Sequence, residues 1–152
     1  MASSNSVAFD GKTILLGFIA GALSVAIFHQ LTIATLNGFN FGGVWRMAPG
    51  VAPLGIPPIF NQMFWGGMWG IVFAAITPML PRGIGYLVCG FLFGAIVLAL
   101  AGWYLVPFIK SLFGQTGLRY GPNPAGWWRG PLINGMWGLG TAILLTFLPA
   151  RR

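Results

Sequence analysis

Four apolar stretches, each nearly free of charge, occupy most of this 152-residue chain. A helix crosses the hydrocarbon core of a bilayer with about 20 apolar residues. Thr13–Leu36, Asn61–Leu80, Ile84–Phe108 and Pro131–Leu148 meet that length, the last at its short end. Only 6 % of the residues are charged. A soluble domain carries roughly 25 %. The pattern therefore predicts an all-α integral membrane protein with four transmembrane helices, and one membrane domain over residues 1–152. Residues 1–11, rich in Ser and Asn, read as a flexible tail. That tail lacks the basic start and small-residue cleavage site of a secretory signal, so the first span is expected to stay in the mature protein.

The basic residues are Lys12, Arg46, Arg82, Lys110, Arg119, Arg129, Arg151 and Arg152, and all lie at or beyond the ends of these spans. Basic residues so placed anchor helices against anionic headgroups. The net charge of +7 is thus read as a membrane signal, with the lipid bilayer as partner and no nucleic acid. The short-loop side carries Lys12, Arg82, Arg151 and Arg152. The long-loop side carries Arg46, Lys110, Arg119 and Arg129. The positive-inside rule weights short loops, which points to both termini in the cytoplasm of a bacterial inner membrane.

Glycine spacing bears on packing. Gly17 and Gly21, Gly66 and Gly70, and Gly90 and Gly94 form Gly-xxx-Gly pairs, and Gly130, Asn134 and Gly138 keep that spacing in the fourth span. Residues four apart share a helix face. Small residues on such a face let backbones approach where lipid offers no hydrophobic drive. The faces serve either the bundle or self-association.

The chain also resembles itself. Gly67-Met-Trp-Gly70 recurs as Gly135-Met-Trp-Gly138, a shift of 68, and Ala74 and Leu80-Pro81 match Ala142 and Leu148-Pro149. Gly17-Phe18 and Gly21-Ala22 match Gly90-Phe91 and Gly94-Ala95 at a shift of 73. Each half reads as helix, long apolar loop, helix. Two helices return the chain to its starting side, so the expectation is two tandem parallel two-helix repeats about an axis along the membrane normal.

The long connections are unusual. Asn37–Phe60 is rich in Gly and Pro, too apolar for a free loop and too broken for a helix. It is expected to lie in the interface or to re-enter the membrane, since irregular backbone at depth survives only against protein or water. The alternative is a loop flat on the headgroups. Ser111–Gly130 is the second such connection, with Trp127-Trp128-Arg129 reading as interfacial. Trp65 with Trp69, and Trp103 with Tyr104, read as an aromatic belt.

Reactive chemistry is scarce. Asp10 is the sole acid and lies in the tail, Cys89 is the sole cysteine, and His29 the sole histidine. A carboxylate proton relay, a Ser-His-Asp set, a Cys/His metal cluster and a phosphate loop are all missing, so no enzyme and no cofactor are expected. His29 is the exception. An ionisable group inside a span is a functional candidate. It could ligate a haem or chlorin-type pigment, move a proton or grip a neighbour. The reading preferred here is a neutral His bonded to a helix carbonyl, to Gln30 or to Asn61. Arg46, Asn61, Gln62, Arg129 and Asn134 could line one polar mouth; the simpler reading is that the amides cap helix starts. Function is expected to be that of an accessory or structural subunit, associated with other membrane subunits or with itself. A passive channel or facilitator for a small solute is the alternative, and a pigment or haem holder through His29 the second alternative.

Overall fold

The computed structural model describes residues 10–148, so Arg151 and Arg152 and most of the tail lie outside the described residues. Four helices are long and apolar enough to cross a membrane: Gly11–Leu36, Pro58–Met79, Ile84–Leu112 and Arg129–Phe147. They mark an all-α integral membrane protein. Outside the helices, the described residues hold a β-bridge between Val51 and Ile56.

The ends of the spans differ from the hydropathy reading for local reasons. The first begins at Gly11 because Asp10 Oδ1 accepts the Thr13 N–H at 2.8 Å, which satisfies an orphan donor. The second begins at Pro58, where a missing N–H costs nothing. Its α-helical part ends at Ile76 and tightens to a 3-10 turn over Thr77–Met79, at Pro78. The third runs on to Leu112, past Pro107. Proline cannot supply the bond to the carbonyl four residues back. That carbonyl, Trp103 O, instead accepts the Gly121 N–H of the following loop at 3.0 Å. The fourth starts at Arg129, so Pro131 falls in its first turn, and Leu148 leaves the helix with ψ 140°.

Glycines set the helix contacts. A Cβ at Gly17 would lie 2.8 Å from both Ala74 Cβ and the Gly70 oxygen, and Gly21 packs on the Gly66 carbonyl. On the other pair, a Cβ at Gly90 would lie 2.7 Å from Ala142 Cβ and 2.8 Å from the Gly138 oxygen, and Gly94 packs on the Asn134 carbonyl. Gly67 rests on the Phe18 ring and Gly135 on the Phe91 ring. The first span thus packs on the second, and the third on the fourth, through contacts at corresponding positions. Gly17, Gly21, Gly66, Gly70, Gly90, Gly94 and Gly138 all lie at contacts inside the chain. Backbones this close gain dispersion and Cα–H···O contacts, which drive association in lipid.

The two pairs are joined on both sides. Between the first and fourth spans, Trp137 Nε1 donates to the Gly21 carbonyl at 2.8 Å and Ser24 Oγ donates to the Trp137 carbonyl at 2.6 Å. Trp137 and Ser24 are fully buried. Between the second and third, Phe73 packs against Tyr86 and Phe93, with ring centroids 5.7 and 5.3 Å away. Ala20, Phe73, Ala74, Tyr86, Ala142 and Leu145 close the core on the short-loop side.

Three wide, π-helical turns interrupt the spans: Val25–His29 in the first, Phe93–Leu98 and Ala101–Leu105 in the third. In the first of these the Gln30 N–H reaches the Val25 carbonyl and passes over Ala26. Trp45, in the following loop, takes up that group: its indole donates to the Ala26 carbonyl at 2.7 Å. Its backbone N–H donates to Gln30 Oε1 at 3.1 Å. Ala26 is ten residues before Leu36, or about 15 Å along the helix at 1.5 Å per residue. The loop therefore folds back along the first span. Trp45 holds φ at 48°, a conformation rare for a bulky residue, and these two bonds hold it there.

Candidate functional site

A cavity of about 310 Å³ opens in the half of the bundle nearest the long loops. Every span contributes a polar side chain to its lining: His29 from the first, Asn61 and Gln62 from the second, Lys110 from the third and Asn134 from the fourth. Val25, Gly66, Trp69, Leu98 and Trp137 line its deeper part. From Asn61 to Trp69 the second span descends eight residues, about 12 Å. The cavity is therefore a funnel from one face to roughly mid-bilayer, since the hydrocarbon core is about 30 Å thick.

The funnel lining ends at Trp69 and Trp137. Below Trp69 and Trp137, Phe93 lies with its centroid 6.3 and 6.4 Å from theirs. Phe73 and Tyr86 continue the aromatic stack toward the short-loop face. There a space of about 60 Å³ opens beside Thr77, Arg82 and Tyr86.

The funnel lies between the two helix pairs, and several lining residues correspond at the shifts of 73 and 68. Val25 matches Leu98, and Trp69 matches Trp137. The polar groups break this correspondence: His29 stands against Gly102, and Gly66 against Asn134. At Gly102 an added Cβ would meet nothing within 4 Å.

Local structure fixes the polar side chains. Gln30, 2 % exposed, donates through Nε2 to Gln62 Oε1 at 2.7 Å while its Oε1 takes the Trp45 N–H. His29 is half-buried, with Nδ1 3.4 Å from Gln30 Nε2. At that length the contact is too long to hold the ring firmly. Asn134 Nδ2 donates to the Gly130 carbonyl of its own helix at 2.9 Å.

Of the five residues read as a polar mouth, Asn61, Gln62 and Asn134 come together in the funnel lining. Arg46 and Arg129 do not. The Arg46 carbonyl accepts the Ile59 N–H, and the Arg129 guanidinium donates to Asn37 Oδ1, outside the cavity. Neither amide caps a helix. The second span begins three residues before Asn61 and the fourth five before Asn134, and neither start has a side-chain cap bond.

Trp65 and Trp69 also differ from the belt expected of them. Asn61, Trp65 and Trp69 recur every four residues and so share the face that lines the funnel. Trp127 and Trp128 are exposed, as interfacial residues are. Sequence reasoning missed Lys110 and Trp137 in the funnel lining, and Gln30 beside it, which holds Gln62. Lys110 looked like an ordinary anchor, Gln30 a bystander of His29, and Trp137 a repeat marker. The one available signal was an amide inside an apolar span, which must find a partner.

Comparison with known families, curated proteins and solved structures finds no match for this chain.

Proposed function

We propose that this chain is a small polytopic membrane protein without catalytic chemistry whose working part is the funnel, a binding site for a small ligand admitted from the long-loop side. One observation carries the reading: a polar side chain from each of four spans converges on one space of about 310 Å³. Binding pockets are largely apolar clefts of roughly 300–1,000 Å³ with a few convergent polar groups. Polar groups inside a bilayer are costly and gather where they bind something or meet water.

The alternatives fit less well. A passive channel needs a continuous polar path, and the Trp69, Trp137, Phe93 and Phe73 rings interrupt it. The Gly-xxx-Gly faces that an accessory subunit would offer to a partner are used within the chain. A pigment held through His29 would have that single imidazole as its ligand from the funnel lining.

Three finer readings belong with this one. The matched glycine contacts support an origin in two tandem parallel two-helix repeats, with the funnel on the axis between them. The bonds from Trp45 to Ala26 and Gln30 support a long loop that re-enters the membrane. The basic residues of the short loops support cytoplasmic termini in an inner membrane, which puts the funnel mouth on the outer face.

Cysteine accessibility tests the site and its side together. In a Cys89→Ser background, Gly102→Cys and Asn134→Cys should react with a membrane-impermeant thiol reagent from the long-loop side only. Protection of both positions from both sides would remove the funnel.

A further inference from the structure

The funnel has a neighbour of different character. A second space, of about 530 Å³, lies between the Val51–Ile56 loop and the long-loop ends of the second and third spans. Leu54, Ile56, Phe60, Phe64 and Phe113 form much of its wall. Leu54 is 78 % and Phe113 68 % exposed, so the wall is open to the surroundings of the bundle. Asn61, Trp65 and Lys110 line both spaces. An apolar chamber and a polar funnel thus meet at a waist that carries a cation, an amide and an indole.

Charge narrows the occupant. Lys110 is the one fixed charge in the two linings, and neither contains an acid. The waist therefore favours an anion. Gln115 adds a second requirement. It lines the apolar chamber close to Lys110, whose carbonyl accepts the Gln115 N–H at 3.2 Å. Its Oε1 is buried with no hydrogen-bond partner. An orphan buried acceptor is costly and calls for a donor. An anionic head bearing a hydroxyl supplies both needs, and one apolar chamber at the waist accommodates one tail.

We propose that the joined chambers bind a monoacyl glycerophospholipid drawn from the surrounding bilayer. The acyl chain fills the apolar chamber with the free glycerol hydroxyl at its head end facing Gln115 Oε1, the phosphate meets Lys110 and Asn61, and the rest of the head enters the funnel. The proposal rests on the funnel being a ligand site and names its ligand class. It also accounts for the loop that folds back to form one wall of the apolar chamber.

The test is equilibrium binding to the full chain in nanodiscs with three probes. These are 1-oleoyl-lysophosphatidylglycerol, the lysophosphatidylcholine of the same chain, and free glycerol 3-phosphate. The expected result is one bound equivalent of the glycerol lipid, about tenfold tighter than the choline lipid, whose phosphate makes the same contact but whose quaternary ammonium brings a second cation into the funnel near Lys110. Lys110→Gln should abolish that preference, and Lys12→Gln should preserve it. Leu54→Trp, at an exposed loop position, should weaken both lipids. Equal binding of both lipids, unchanged in Lys110→Gln, overturns the proposal. Competition by glycerol 3-phosphate as strong as by the lipid, with Leu54→Trp silent, overturns it too but leaves the funnel standing as a solute site. Protection of Gly102→Cys and Asn134→Cys from the impermeant reagent removes both readings.

Discussion

The two halves of the bundle, divided at mid-membrane, are built on different rules. On the short-loop side the helix pairs repeat each other contact for contact: Gly17 on Gly70 and Ala74, Gly90 on Gly138 and Ala142. On the long-loop side the corresponding positions part company. His29 faces the same space as its counterpart Gly102, and Asn134 the same space as its counterpart Gly66. The difference teaches where constraint lies. At Gly17, Gly21, Gly90 and Gly94 an added Cβ would strike backbone, and glycine stands there in both pairs. A cavity has room, and position by position that room can take a polar group on one side without a clash on the other.

The largest effects should come from filling the seams. Gly21→Leu drives a side chain into the Gly66 carbonyl, and backbone cannot turn aside as a side chain can. A cost of about 3 kcal/mol, the upper range of overpacking, is expected in reversible unfolding from mixed micelles. Gly94→Leu, at the corresponding position, should cost nearly as much. Gly102→Leu, in the open half, should stay within about 0.5 kcal/mol. Equal costs at Gly21 and Gly102 would erase the distinction between the halves.

Next comes the link between the polar half and its loop. Gln30→Leu removes the partner of Gln62 Oε1 and of the Trp45 N–H. The loss should be about 1 kcal/mol, the net worth of hydrogen bonds whose remaining partners are exposed. Limited proteolysis should then cut within residues 37–57 faster than in the parent. Unchanged cleavage would mean that Gln30 does not hold the loop.

Smaller still is Ser24→Ala, which removes one hydroxyl and its interhelical bond to the Trp137 carbonyl. About 0.6 kcal/mol is expected, the mean for an interhelical bond in a membrane protein. The smallest effect belongs to His29→Gln. Its one weak contact predicts a stability change within about 0.5 kcal/mol and no change in the absorption spectrum of the purified protein. Loss of a visible band on that change would revive the pigment reading.

The spans and the glycine faces were legible in the sequence because each depends on local pattern. Length and apolarity define a span, and four-residue spacing defines a face. The ends were less legible. Asp10 and Pro58 extend their helices through hydrogen-bond chemistry that hydropathy does not register. The funnel was half legible. Asn61, Gln62 and Asn134 stood out as amides in apolar surroundings, and they do meet. Arg46 and Arg129 were placed with them by proximity in sequence, yet the loop carries one away and Asn37 holds the other outside. Lys110 was invisible as a lining residue because the third helix runs four residues further than its apolar run. The wide turns left no readable trace, since Val25–His29 has the composition of any apolar helix.

Those wide turns have a consequence for how the molecule can change. Each one accommodates an extra residue and so resets the angular phase of the helix beyond it. In the first span Gly17 and Gly21 precede the turn that carries Val25 and His29, and in the third span Gly90 and Gly94 precede the turn at Ala101–Leu105, beyond which Lys110 lies. Deleting one residue from 101–105 should rotate the rest of the third span by about 100°, the angle of one α-helical residue. Lys110 would swing off the waist while Gly90 kept its place on Gly138. The fold and the ligand site thus run on separate clocks, and a single-residue insertion or loss can reset one without stopping the other.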